Sequence, residues 1–115
     1  MEMVKDAGKV DTLVMTGGDL SYIDEDLLYQ TVRDLRQVSL IDTRLTTEQL
    51  LNILQAVAVS SSMESLNLSS NNLSNVPSEL IVAAARKLTS LSLENSSLSQ
   101  EQCKKLVIEG KIHRL

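Results

Sequence analysis

The sequence contains no tryptophan and no phenylalanine, and only two tyrosines (Tyr22 and Tyr29), one proline and one cysteine. Without aromatic rings, which bury about 150–250 Å² each, a core cannot be closed by a few large side chains. It has to be assembled from many small aliphatic contacts, which favours regular stacking over one irregular core. The lone Cys103 excludes an internal disulfide and fits a reducing compartment. The longest unbroken apolar run, Leu80 to Ala85, is six residues, far short of the roughly 20 that cross a bilayer. The opening Met-Glu-Met-Val-Lys-Asp lacks a basic stretch followed by an apolar one, so no secretory signal is expected. Positive charge is also scarce: 11 Lys and Arg stand against 15 Asp and Glu, a net charge of −4 and a pI near 4.9. Nucleic acids and anionic membranes need clustered Lys and Arg, so neither is expected as a partner. Electrostatics points to a protein.

What remains is aliphatic and regular. The 115 residues suffice for one domain, and leucine and serine, at 20 and 15 positions, dominate them. One apolar template, with anchors at relative positions 1, 4, 6 and 11, fits four times. The anchors are Val10, Leu13, Met15 and Leu20; Leu35, Val38, Leu40 and Leu45; Met63, Leu66, Leu68 and Leu73; and Leu88, Leu91, Leu93 and Leu98. Repeats starting at 10, 35, 63 and 88 are spaced 25, 28 and 25 residues apart, and a partial fifth runs from Ile112 to Leu115. All sixteen anchors are apolar, which composition alone does not produce.

Each repeat reads as a strand, a turn and a helix. Anchors 4 and 6 flank an outward position, the alternation of a strand with one buried face. A hydroxyl residue follows each position-11 leucine, namely Ser21, Thr46, Ser74 and Ser99, and each is expected to cap a helix. Thr46 with Gln49 and Ser99 with Gln102 have capping-box spacing. Pro77 suits a first helical turn. Helical spacing follows in Leu50, Leu54 and Val57, in Leu80 and Ala84, and in Cys103, Leu106 and Val107. Ser60-Ser61-Ser62, the extra length of the second repeat, reads as a flexible return to the next strand.

The run Met63-Glu-Ser-Leu-Asn-Leu-Ser-Ser-Asn-Asn-Leu73 resembles the leucine-rich repeat signature L-x-x-L-x-L-x-x-N-x-L. The repeat length and the full helix per repeat are most similar to the ribonuclease-inhibitor type, shared by NOD-like receptor arrays, tropomodulin and Ran GTPase-activating proteins. The resemblance covers residues 10–115. It implies an α/β fold: a right-handed β-α solenoid of about four strand–helix repeats, with parallel strands on the concave face. One departure is that the signature asparagine occurs only at Asn71, with Gly18, Thr43 and Ser96 in its other places. Thr and Ser are expected to bond the neighbouring turn's backbone, which Gly18 cannot, leaving the first repeat least well tied. Gly8-Lys9-Val10 and Gly110-Lys111-Ile112 stand in the same phase. The chain is therefore expected to open at the end of a helix and to show no capping segment. It reads as a segment of a longer array, or as a small protein whose ends partners cover.

The resemblance nominates the residues projecting from the strands as partner-binding: Thr12, Val14 and Thr16; Gln37, Ser39 and Ile41; Ser65, Asn67 and Ser69; Ser90, Ser92 and Glu94. None is Trp, Tyr or Arg, the usual hot-spot types, so small size for close strand packing is the competing explanation. Asp19, Asp24, Glu25 and Asp26 lack the alternate spacing of a calcium loop, and three of them suit a helix start instead. Cys103 and His113 are a poor nucleophile–base pair, and Gly17-Gly18 is a turn without a phosphate-loop motif, so no catalytic residue, metal or cofactor is expected. Three Asn-X-Ser sequons, at Asn67, Asn72 and Asn95, would serve an extracellular protein, but the repeat itself generates them. Cytosol, with the nucleus beside it, is the expected compartment.

The sequence thus predicts a non-catalytic interaction module presenting its strand-lined face to a protein, with a sensing or autoinhibitory role in a larger chain implied by the NOD-like resemblance. The alternative is an architectural subunit that docks or self-associates through uncapped ends, using Val10, Leu13, Leu91, Leu93 and Leu115. Regulation of a small GTPase rests on analogy alone.

Overall fold

The computed structural model describes residues 2–6, 9–109 and 112–114, with side-chain surroundings over 11–104. It is an α/β structure built on one six-stranded sheet whose strand order follows the chain. The strands are β1 (Glu2–Asp6), β2 (Lys9–Thr16), β3 (Gln37–Ile41), β4 (Ser65–Asn67), β5 (Ser90–Ser92) and β6 (Ile112–Arg114). From β2 onward every pair is parallel. The helices α1 (Glu25–Arg33), α2 (Thr47–Val59), α3 (Ser78–Lys87) and α4 (Gln100–Glu109) fill the crossovers and pack each on the next.

The apolar template explains the core. Thirteen of its sixteen anchors are buried, Met15 and Leu98 are half-buried against them, and the Val10 side chain lies outside the described set. The helices complete the core with Leu28 and Val32, then Leu50, Ile53, Leu54 and Val57, then Ile81, Ala84 and Ala85. Because the strands are short, each contributes only two inward aliphatics, and the core extends by one such layer per repeat. Leu106, Val107, His113 and Leu115, which carry expectations above, fall outside the described side chains.

The N-terminus departs from expectation. Residues 2–6 form a strand, not a helix end, and pair antiparallel with β2, with a bulge between Val4 and Lys5. This hairpin covers the edge that β2 would otherwise expose.

Helix starts fall into two kinds. In the second and fourth repeats the expected caps form. Thr46 Oγ1 accepts from the Gln49 N–H while Gln49 Oε1 accepts from the Thr46 N–H, and Ser99 and Gln102 do the same. In the first and third repeats, Ser21 and Ser74 cap nothing. Their N–H and hydroxyl groups donate to Asp19 and Asn72, forming Asx turns. The helices then begin later, α1 on the Asp24 cap, whose carboxylate accepts from Asp26 N and Leu27 N, and α3 on Pro77, which makes no side-chain cap. Pro77 is therefore at the cap rather than inside the first turn. Both kinds share one feature: Gly17, Asp42, Ser70 and Asn95, at position 8 of successive repeats, all have positive φ.

The serine return is also not slack. Ser60 is buried, its Oγ accepts from Ser62 N and Met63 N, and Ser62 Oγ donates to Leu35 O. A local hydroxyl network replaces the flexibility that composition suggests.

Candidate functional site

Parallel register aligns the nominated strand residues in rows across the sheet. Thr12, Gln37, Ser65 and Ser90 form one row, and Val14, Ser39, Asn67 and Ser92 the next. Thr16 pairs with Ile41, and the row continues beyond the regular strands to Ser69 and Glu94, linked by the Glu94 N–H donating to Ser69 Oγ at 3.0 Å. Leucines at the alternating positions point into the core, so these residues share the opposite face. Val14, Thr16, Gln37 and Glu94 are exposed, and most of the others are half-buried between neighbouring strands.

Ser69 is a correction. It is buried, its hydroxyl is committed to Glu94 N, and its own N–H donates to Asn67 Oδ1. Strand β4 ends at Asn67 and the chain turns left-handed at Ser70, which draws Ser69 into the loop stack. Asn67 is therefore partly occupied as a local acceptor.

Size constrains what this face can do alone. With strands about 4.8 Å apart and about 3.3 Å per residue, four strands of three outward residues cover roughly 400 Å² in projection. A standard interface buries about 800 Å² per partner. Contact must therefore extend onto adjoining surface, and the loops that follow the strands supply it. They carry Tyr22, which is 81% exposed, and Arg44, held at positive φ. These are the hot-spot types missing from the strands. The Asp19 carboxyl beside them is held below its ordinary value by hydrogen bonds from the Ser21 hydroxyl and N–H, opposed by desolvation, with Arg44 the smallest contribution. Sequence reasoning missed both residues because it looked only at strand positions, although their type alone made them candidates.

The same loop edge holds an open depression of about 350 Å³ between residues 74–79 and the start of α4, lined by Ser74, Pro77, Glu79, Ser99, Glu101 and others. At the opposite edge, Arg36 lies between Asp11 and Glu64 at 3.3 and 3.8 Å, an ion-pair ladder that crosses three repeats.

Asn71 performs the linking role expected of the signature asparagine. Its Oδ1 accepts from Thr43 N, Thr43 Oγ1 and Leu45 N, and its Nδ2 donates to Leu40, Leu68 and Ser69 carbonyls. Thr43 and Ser96 differ from expectation. Each hydroxyl is placed to donate to a carbonyl of its own repeat, Leu40 O and Leu93 O, and to no neighbouring backbone carbonyl; the Thr43 hydroxyl reaches the next turn only through the Asn71 side chain. Gly18 has φ +103, where side chains are strained, and an added Cβ would lie 2.6 Å from Met15 Cε.

The end-docking anchors need correcting as well. Leu13, Leu91 and Leu93 are each 1% exposed and cannot meet another molecule without unfolding, while Val10 and Leu115 lie outside the described side chains. Cys103 is half-buried, and the inward place on its turn belongs to Gln102. Asp24 is engaged as a helix cap. Among the described residues no three His, Cys, Asp or Glu side chains are placed to share a metal ion, and no helix is long and apolar enough to cross a membrane. Compared with protein-family models, curated proteins and solved structures, the chain matches none.

Proposed function

We propose that this chain is a non-catalytic protein-interaction module of the leucine-rich-repeat type, which engages a protein partner through its strand face together with the loops at the strands' C-terminal ends. The observation that carries this reading is the register, which stacks the outward residues of β2 to β5 in rows while the helices occupy the crossovers. Side-by-side repeats give a rigid platform on which each contributes a few contacts, so shape rather than chemistry does the recognition. The Asn71 ladder and the repeat template support the leucine-rich-repeat assignment; the near-neutral rows of Ser, Thr and Asn support a polar protein surface as the partner. A cytoplasmic setting accords with the unpaired cysteine.

The test is a pull-down of wild type beside Ser65→Arg/Ser90→Arg, read by mass spectrometry, with the variant's fold checked by circular dichroism. Both serines sit in one row on adjacent strands, so two arginines there block the platform without touching the core. A partner retained by wild type and lost by the folded variant is the expected result. A partner held equally by both moves the function off the strand face.

A further inference from the structure

A second surface lies on the outer flank of α1. Asp24, Leu27, Thr31 and Asp34 recur at intervals of three, four and three, so they fall on one stripe of that helix. Leu27 is 59% exposed although α2 packs on α1. Beneath the stripe is a small apolar cavity of about 70 Å³, lined by Leu13, Leu20, Ile23, Leu27, Leu28, Thr31 and Leu40. Charge around it is one-sided. Asp24, Glu25 and Asp26 stand at the start of α1 and Asp34 at its end, against the single cation Arg33, which is itself paired with Asp34 at 3.6 Å.

We propose that the α1 flank docks an amphipathic basic helix of a protein partner. Its apolar residues, spaced i and i+4, would cover Leu27 and close over the cavity beneath it. Lys or Arg near its two ends would meet Asp24 and Asp34, which ten residues of helix separate by about 15 Å. Helices pack at about 8–10 Å, close enough for the apolar contact to exclude water and for the end charges to choose the partner. A second copy is a poor occupant, because it would set one acidic α1 against another. This surface is separate from the strand face, and its occupation does not depend on that reading.

The probe is a fluorescein-labelled helical peptide of Leu, Ala and Lys, apolar on one face, titrated with the full chain and followed by anisotropy. A counterpart with Glu in place of every Lys serves as control. Saturable binding of the Lys peptide alone is expected, weakening as salt rises. Leu27→Ser should weaken it by about tenfold or more, and Asp34→Lys, at a carboxylate 80% exposed, severalfold. Val59→Ser, equally exposed but on α2, should change it by less than about twofold, and Ser65→Arg/Ser90→Arg should leave it intact. Equal binding of both peptides, equal loss in Leu27→Ser and Val59→Ser, or no saturable binding would overturn the proposal. So would self-association of the chain, seen by sedimentation, that Leu27→Ser abolishes, since a second copy would then occupy the flank.

Discussion

The first and third repeats leave their strands by an Asx turn and start their helices on Asp24 and Pro77, whereas the second and fourth start theirs three residues earlier on a reciprocal Thr–Gln or Ser–Gln box. The two kinds fit together through the glutamines. Gln49 Nε2 donates to Leu20 O and Ile23 O of the repeat before it, and Gln102 Nε2 donates to Leu73 O and Val76 O in the same way. Each even-numbered repeat thus supplies a donor to Ile23 O or Val76 O and a second one to Leu20 O or Leu73 O, which already accept from Ile23 N and Val76 N. The difference teaches that the structural unit is a pair of repeats. Position 15 differs between the two members: Gln there closes a capping box and reaches back, while Asp or Pro there becomes the cap itself.

The core should ignore this distinction, and the largest effects test that. Leu66 and Leu91, one in each kind of repeat, are both essentially unexposed. Replacing either by Ala should cost about 2–5 kcal/mol, similar in the two cases, measured by denaturant melts. Against a total of about 5–15 kcal/mol, either change could leave the protein largely unfolded at modest warming. A Leu66→Ala protein that melts like wild type would contradict the register.

The glutamines should then separate the pair members. Gln102→Ala removes the donor to Val76 O, one of two donors to Leu73 O, and half of a capping box, a loss of about 1–3 kcal/mol. Pro77→Ala, at the matching position of the third repeat, removes no side-chain hydrogen bond and should cost less than about 1 kcal/mol. Equal costs would dissolve the pairing argument.

Much of this was legible in the sequence. Spacing at positions 1, 4, 6 and 11 located the strands, the inward leucines and the order of elements, because burial on one face leaves a period that composition cannot hide. Local hydrogen bonding was less legible. A hydroxyl after every position-11 leucine suggests four equal caps, but whether Ser caps a helix or joins an Asx turn depends on the residue two before it: Asp19 and Asn72 compete for Ser21 and Ser74, and Arg44 and Ser97 do not compete for Thr46 and Ser99. The β1 hairpin escaped because a template search recognises only what repeats. In the candidate site the rows were foreseen from alternation. The burial of Ser69 was not, since it follows from where β4 ends, and Tyr22 and Arg44 lie outside the template altogether.

Smaller substitutions sharpen the same contrast. Thr46→Ala and Ser99→Ala should each cost about 1 kcal/mol as true caps, and Ser21→Ala and Ser74→Ala about half of that or less, because only an exposed Asx turn is touched. Backbone sign gives the last test, and it reverses direction. Arg44 and Ser97, at position 10 of the even-numbered repeats, have φ of 55° and 58°, while Asp19 and Asn72 at that position are not left-handed. A side chain in that region is strained relative to glycine. Ser97→Gly should therefore stabilise by up to about 1 kcal/mol, partly offset by glycine's greater freedom in the unfolded chain. Asn72→Gly should destabilise, since it gains no relief from strain and loses the Asx turn. Paired thermal melts would show a rise for one and a fall for the other. If both moved the same way, position 10 would not distinguish the two kinds of repeat, and the alternation would rest on the glutamines alone.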